Sequence, residues 1–313
     1  MFARPALRRA GMDRVGIGHA LVDDCSFGEA CDLIIEHAMR QGRPAFVTTA
    51  NAQHIVLLDQ DKRLRQIYNS ADLVVPDGIS LILAARLHGR LLRERVAGVD
   101  MFQTLCERAA RDGLHVFLLG GRPNSAKLTA RVFKRRWPLL RVSTYCPPVG
   151  FDKSTEELEK TANAVRSAKP DLLFVALGAP KQEYWIYEHG LQLSVPISIG
   201  VGGSFEMVAG VVRRAPQWIQ KVGCEWLYRL CIEPRRMWRR YLIGNLNFAT
   251  IILRQRIRRL LLSAFFSFID KDAFAAELLE PSLQQYQRKF ATRVLNLLPV
   301  EITESRSSDL LAG

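Results

Sequence analysis

Apolar residues along this chain fall in short unbroken runs, and the stretches between them carry apolar positions at helical spacing. Val15–Val22, Pro44–Val47, Leu73–Val75, His115–Leu119, Arg141–Tyr145, Asp171–Leu177 and Val195–Ile199 read as strands. The unbroken run in Asp171–Leu177 marks a strand covered on both faces. Ala30, Leu33, Ile34, His37 and Ala38 recur at helical spacing behind Ser26, which forms a capping box with Glu29. Further helices are predicted at Gln53–Asp59, Lys62–Asn69 and Ile79–Leu87, and in a segment ending near Arg111. Others follow across Asn124–Trp137, from Ser154 to about Ala168, and after Pro180. Strand alternating with helix predicts an α/β fold, a Rossmann-like, mainly parallel sheet flanked by helices. The strands end in polar or glycine turns: Thr49/Asn51, Asp77/Gly78, Gly120/Gly121, Gly178 and Gly200/Gly202/Gly203. In a parallel sheet such turns share the carboxyl edge, where ligands bind.

Past Val211 the pattern changes from α/β alternation to helix, and composition changes with it. Between Val211 and Arg259 there are twelve Lys/Arg against Glu225 and Glu233, a local net of +10 in a chain of +13. Trp218, Trp226 and Trp238 lie in the same window. Three regions are expected: a basic arm at 1–13, an α/β catalytic core at 14–211, and a basic helical appendage at 212–313. No segment reaches the roughly 20 apolar residues that span a bilayer. The opening MFARPALRRAGMDRVG lacks the apolar core of a secretory leader. The six cysteines form no C-x-x-C pair and read as reduced thiols in a cytosolic protein.

Excess positive charge implies an anionic partner without naming it. A nucleic-acid-binding module would carry a recognisable reading motif, and none is found. A dinucleotide enzyme would carry G-x-G-x-x-G, but in Gly200-Val201-Gly202-Gly203 the third glycine's place is held by Phe205.

Several residues are suited to chemistry, each with a plainer reading beside it. Asp77, between Pro76 and Gly78, is a carboxylate presented at a strand end, or a turn residue capping the next helix. Thr49 and Asn51 offer hydrogen bonds to a sugar or diphosphate, or close an Asx or Ser/Thr turn. Arg95 presents a planar fork to a phosphate, or pairs with Glu94 or Asp100. Gly120 and Gly121 allow backbone to approach a diphosphate. The D-x-D pairs Asp59/Asp61 and Asp270/Asp272 read as solvated helix-end acids, and no required metal is expected. Arg235, Arg236, Arg239 and Arg240 share a helical face with Trp238 beside it, which is either solvated or laid on an anionic membrane surface.

The ordered pieces G-V-G-G-S-F-E, R-A-P-Q-W, E-W-L-Y-R-L, E-P-R-R-M-W-R-R-Y-L, P-D-G and G-A-P-K-Q-E-Y-W together resemble the bacterial WecG/TagA/CpsF glycosyltransferases. The resemblance covers roughly residues 15–245. It implies an inverting transferase moving a sugar from a UDP-sugar to a polyprenyl-diphosphate-linked saccharide in cell-surface or exopolysaccharide biosynthesis. The enzyme would be peripheral on the cytoplasmic face of the inner membrane. Asp77 takes the family's base position; Thr49 and Asn51 fall in its substrate pocket, Gln182 matches its motif as a donor-sugar contact and Glu183 as a structural or ligand contact, while Arg95 is a further candidate for substrate on its own chemistry. Gly120, Gly121, Gly200, Gly202 and Gly203 would shape the nucleotide site. Arg213 and Arg214 would meet the lipid diphosphate, and Arg235, Arg236, Trp238, Arg239 and Arg240 the membrane. No cofactor beyond the UDP-sugar co-substrate is expected, and a homo-oligomer is compatible with the apolar tail. Two departures stand out: Glu206 where the family has Asp, and Cys224 in place of Leu before Glu225-Trp226. No residue can be tied to an acetamido group, which favours a hexose or uronic acid donor. A non-catalytic scaffold in a polysaccharide assembly complex is the competing reading.

Overall fold

The structure, a computed structural model, describes residues 7–276 apart from Ala10. It forms two compact units, the first ending at Ile252 and the second beginning at Leu253.

The first unit is built on a six-stranded parallel sheet. Its strands are β3 (Ala45–Ala50), β4 (Leu73–Pro76), β5 (His115–Gly120), β6 (Arg141–Tyr145), β7 (Leu172–Ala176) and β8 (Ile197–Gly200). Their order is β4-β3-β8-β7-β5-β6, every neighbouring pair parallel. Successive residues of a strand face opposite sides of a sheet, and both sides here are covered. In β5, Val116 and Leu118 enter one core cluster, while Phe117 and Leu119 enter the other. The first cluster centres on Phe102, with rings of Phe133, Phe174 and Phe205 at 5.1, 4.7 and 5.4 Å. This two-sided burial explains the unbroken apolar runs.

One expected strand is two. Val15–Val22 folds as the antiparallel hairpin β1 (Arg14–Ile17) and β2 (Ala20–Asp23), because Gly18 takes φ +59° at the turn. Next come α1 (Phe27–Met39), with its Ser26/Glu29 capping box in place, α2 (Ala52–Gln60), α3 (Lys62–Ser70) and α4 (Ile79–Leu87). After them follow α5 (Gly98–Asp112), α6 (Ser125–Arg136), α7 (Thr155–Ala168), α8 (Lys181–Glu188) and the short α9 (Ser204–Val208). Part of the expected basic arm is docked. Leu7 is buried, and Arg8 Nε lies 2.9 Å from Asp23 Oδ1. Asp23 in turn accepts the Val74 N–H of β4 at 2.7 Å.

The stretch after Val211 is helical, as its pattern predicts, but it does not separate from the core there. It holds α10 (Gln217–Lys221), α11 (Glu225–Ile232) and α12 (Pro234–Trp238). A π-helical turn, Arg239–Ile243, leads into α13 (Gly244–Ala276). Ala215, Met237 and Ile252 are buried in the first unit, and a Cβ on Gly223 would meet Ile79 Cγ2 at 2.7 Å. Composition marks the onset of positive charge at 212; packing closes the unit at Ile252. No described helix is long and apolar enough to cross a membrane.

Candidate active site

Because the sheet is wholly parallel, the turns after β3, β4, β5, β7 and β8 share its carboxyl edge. Asp77 follows β4 directly, and its N–H donates to Ala50 O of β3 at 2.8 Å. Its Oδ1 accepts from Gly98 N, at the start of α5, at 2.9 Å. Its Oδ2 has no hydrogen bond among the described residues. Thr49 is seated beside it. A Cβ on Gly98 would come within 3.3 Å of Thr49 Cγ2, and Thr49 Oγ1 donates to Gly200 O at 3.2 Å. Asp77, Thr49 and the β8 turn therefore converge on one place.

Asn51 caps α2. Its Oδ1 accepts from Gln53 N at 3.0 Å and His54 N at 3.4 Å, and its own N–H donates to His54 Nδ1 at 3.3 Å. Gln182 is 2% exposed, with its amide oxygen accepting from Gly202 N at 3.0 Å and its nitrogen donating to Glu183 Oε1 at 2.8 Å. Glu183 is also buried, and its Oε1 lies 3.5 Å from His54 Nε2. Burial, then the charge of Glu183, holds the nearby Tyr68 hydroxyl well above its usual pKa.

A charged cluster borders this edge. Arg214 reaches both oxygens of Asp100 in the first turn of α5, and its Nε lies 3.7 Å from Glu225 Oε1. Arg95 donates to Gln220 O and Glu225 Oε2, both at 3.3 Å. Burial acts to lower the pKa of Arg214; hydrogen bonds and charge from Asp100, then Glu225 and Asp77, outweigh it and the net direction is up.

A sequence model described as the glycosyl transferase WecG/TagA/CpsF family matches residues 15–261. The chain belongs to that family. Among curated proteins it is 34% identical, over 202 residues, to an N-acetylglucosaminyldiphosphoundecaprenol N-acetyl-beta-D-mannosaminyltransferase of Bacillus spizizenii. That match covers 64% of this chain and 76% of the relative. A protein of the same name from Bacillus subtilis is 31% identical over 211 residues, 67% of this chain and 80% of its own.

The residues that the WecG/TagA/CpsF motifs single out are not all placed alike at the carboxyl edge. Asp77 is half-buried on that edge, whereas Thr49 is buried behind it with its hydroxyl donated to Gly200 O. Asn51 spends its side-chain oxygen on the helix cap, the plainer of its two readings. Gln182 and Glu183 lie beneath the β8 turn and hold it from below. Arg95 does pair with an acid, but the partner is Glu225, distant in sequence, in place of Glu94 or Asp100. Of the arginines expected at a lipid diphosphate, Arg214 is engaged by Asp100, whereas Arg213 is exposed and makes no ion pair among the described residues.

The glycine turns are also committed internally. Gly121 N donates to Ala176 O at 2.8 Å, and Arg122 N donates to Glu206 Oε1 at 2.6 Å. Gly120, at φ +90°, has no room for a Cβ, which would meet Ala176 O at 3.0 Å. This pair serves close approach of β5 and β7. Glu206, the departure from the family Asp, is buried and spans the gap between the two glycine turns.

Arg235, Trp238 and Arg239 are exposed, and the Arg239 guanidinium stacks 5.2 Å from the Trp238 ring. The side chains of Arg236 and Arg240 lie outside the described residues. Of the D-x-D pairs, Asp61 caps α3 and accepts the Tyr184 hydroxyl, and Asp59 faces His19. The side chains of Asp270 and Asp272 lie outside the described residues. No cluster of three or more His, Cys, Asp or Glu suited to a metal occurs among the described residues.

Sequence reasoning missed His54, Asp100 and Glu225. For His54 a signal existed: Asn51-x-x-His54 has capping-box spacing, with His in the place usually held by Glu or Gln.

Proposed function

We propose that this chain is an inverting transferase that moves a sugar from a UDP-sugar to a polyprenyl-diphosphate-linked saccharide, with Asp77 as general base. The observation that carries the reading is the setting of Asp77. One carboxylate oxygen is held by the Gly98 N–H, and the other is left to take a proton from the acceptor hydroxyl. Thr49, buried beside Asp77 with its hydroxyl on Gly200 O, supports the edge from behind. Family membership and the names of the two Bacillus relatives support the reaction class and the lipid-linked acceptor. Those names also turn the donor expectation from a hexose or uronic acid toward an N-acetylhexosamine, with N-acetylmannosamine first.

In this reading Arg213, exposed and unpaired among the described residues, meets the acceptor diphosphate, and charge on departing UDP is met by arginine and backbone N–H groups without a metal. Trp218, Trp226, Trp238, Leu242 and Leu246 are exposed among the basic residues after Val211, which suits an anionic membrane surface at the cytoplasmic face. The pathway would be that of a cell-surface polysaccharide. The reading of 212–313 as the acceptor-binding region belongs to the same proposal.

The test is UDP release with a panel of UDP-sugars, membranes carrying polyprenyl-linked acceptors, and EDTA throughout. Acceptor-dependent release with UDP-N-acetylmannosamine that survives EDTA is the expected result. Release that EDTA abolishes would overturn metal independence. No release with any donor would leave the scaffold reading in its place.

A further inference from the structure

Behind the carboxyl-edge turns runs a buried polar chain that no step of the transfer uses directly. It starts at the backbone of Asn51, passes through the His54 ring to Glu183, crosses to the Gln182 amide and ends on the backbone of Gly202. Its three side chains are 4%, 1% and 2% exposed for His54, Glu183 and Gln182. It bridges the turns after β3 and β8, neighbouring strands in register at Thr48 and Gly200.

The bond from Asn51 fixes the orientation of the ring. Nδ1 accepts the Asn51 N–H, so a neutral imidazole carries its proton on Nε2, which faces the Glu183 carboxylate at 3.5 Å without a hydrogen bond. His54 occupies the third helical position of the α2 capping box. A glutamate is the common residue there and would satisfy the Asn51 N–H equally well. In this chain it would set a second carboxylate against Glu183 in a buried site, where like charges are costly.

We propose that His54 is a positioning residue: accepting the Asn51 N–H at one end and setting its otherwise unpartnered Nε2 against the Glu183 carboxylate at 3.5 Å, it couples the Asn51 turn to the Gly202 turn through Glu183 and Gln182, and so holds the two turns in register. Position 54 therefore demands a side chain with both an acceptor and a donor. The kinetic part of this inference rests on the proposed transfer reaction; the structural part does not.

Four variants test it: His54→Gln, His54→Glu, Glu183→Gln and the pair His54→Glu/Glu183→Gln. Thermal unfolding, kcat and donor KM are measured on each. His54→Gln keeps acceptor and donor, and kcat stays within about twofold of the parent. His54→Glu keeps the cap but loses the donor; kcat falls at least about tenfold with a smaller change in KM, and the unfolding midpoint drops. In the pair, the amide introduced at position 183 donates to the carboxylate introduced at position 54, and both kcat and midpoint recover to near the His54→Gln values.

His54→Glu behaving like His54→Gln would overturn the proposal. So would a pair no better than His54→Glu alone. If His54→Glu fails to fold, recovery of folding in the pair supports the linker and its absence overturns it. Should the parent chain show no transfer, the proposed function fails, while the unfolding midpoints still decide the linker.

Discussion

Arg214 clasps Asp100 with both arms of its guanidinium, Nη1 to Oδ1 at 2.5 Å and Nη2 to Oδ2 at 2.7 Å. Asp100 stands in the first turn of α5, and the first N–H of that helix, from Gly98, holds the Asp77 carboxylate. The basic stretch after Val211 is thereby tied to the helix that orients the candidate base. Arg214→Ala is expected to loosen this tie at a cost of about 1 kcal/mol, because the Asp100 side chain is 42% exposed and water replaces its partner. Hydrogen exchange should quicken in residues 212–232 more than in β3, β7 or β8. Arg214→Lys should recover only part of the protection, because an ammonium cannot span both oxygens. Unchanged exchange in Arg214→Ala would show the clasp to be incidental.

Gly200 is the point where β8 passes over Gln182. A Cβ there would lie 2.6 Å from Gln182 Nε2. That amide is an end group, but it is held at both ends, by Glu183 and Gly202. Gly200→Ala must therefore break one of these bonds, and a loss of about 1–3 kcal/mol follows from overpacking. A second change, Gln182→Ala, removes the obstacle. Adding Gly200→Ala to Gln182→Ala should cost much less than adding it to the parent. Additive losses in denaturant unfolding would contradict the packing account.

The fold was legible in the chain because two-sided burial leaves a mark. The unbroken apolar runs of β7 and β8 and the helical spacing between them predict alternating α/β structure, and the parallel order follows. Local caps were legible too, as at Ser26 and Ser154, since a cap is a contact three residues long. Contacts between distant residues were not. The partner of Arg95 is 130 positions away at Glu225, and that of Arg214 is 114 away at Asp100. Charge composition shows that arginines are abundant after Val211 but not which of them the core has engaged. The hairpin at Gly18 was hidden for another reason: a tight turn inside an alternating run leaves the hydrophobic pattern intact.

Exposed cations and tryptophans after Val211 make a measurable prediction about surfaces. Arg235 and Arg239 are exposed, and each Lys or Arg near an anionic leaflet contributes about 1 kcal/mol. Arg235→Glu/Arg239→Glu should lower partition onto vesicles containing phosphatidylglycerol by about tenfold or more, and raised salt should weaken the parent in the same direction. Soluble UDP-sugar binding should be unaffected, because neither residue contacts the Asp77 edge among the described residues. Equal partition of parent and variant, cosedimented at low salt, would remove these two arginines from the membrane-binding account.

Asp77 gives the sharpest test of chemistry. Its Oδ1 accepts the Gly98 N–H, and its backbone N–H is bonded to Ala50 O, so the residue builds the edge, while it stays half-exposed with Oδ2 free of hydrogen bonds among the described residues. Asp77→Asn preserves the building role, since an amide oxygen accepts the same N–H, but an amide cannot take a proton at neutral pH. The unfolding midpoint is therefore expected to stay close to that of the parent, while kcat falls by about 10²–10⁴, the usual contribution of a general base. Donor KM should change little, because the loss appears only as the acceptor hydroxyl gives up its proton. Asp77→Ala should differ by losing stability as well, the Gly98 N–H being left without its acceptor. Near-parental kcat in Asp77→Asn, measured as acceptor-dependent UDP release, would assign the base to another residue. A fall in kcat accompanied by an equal fall in stability would place Asp77 in the framework of the edge and outside its chemistry.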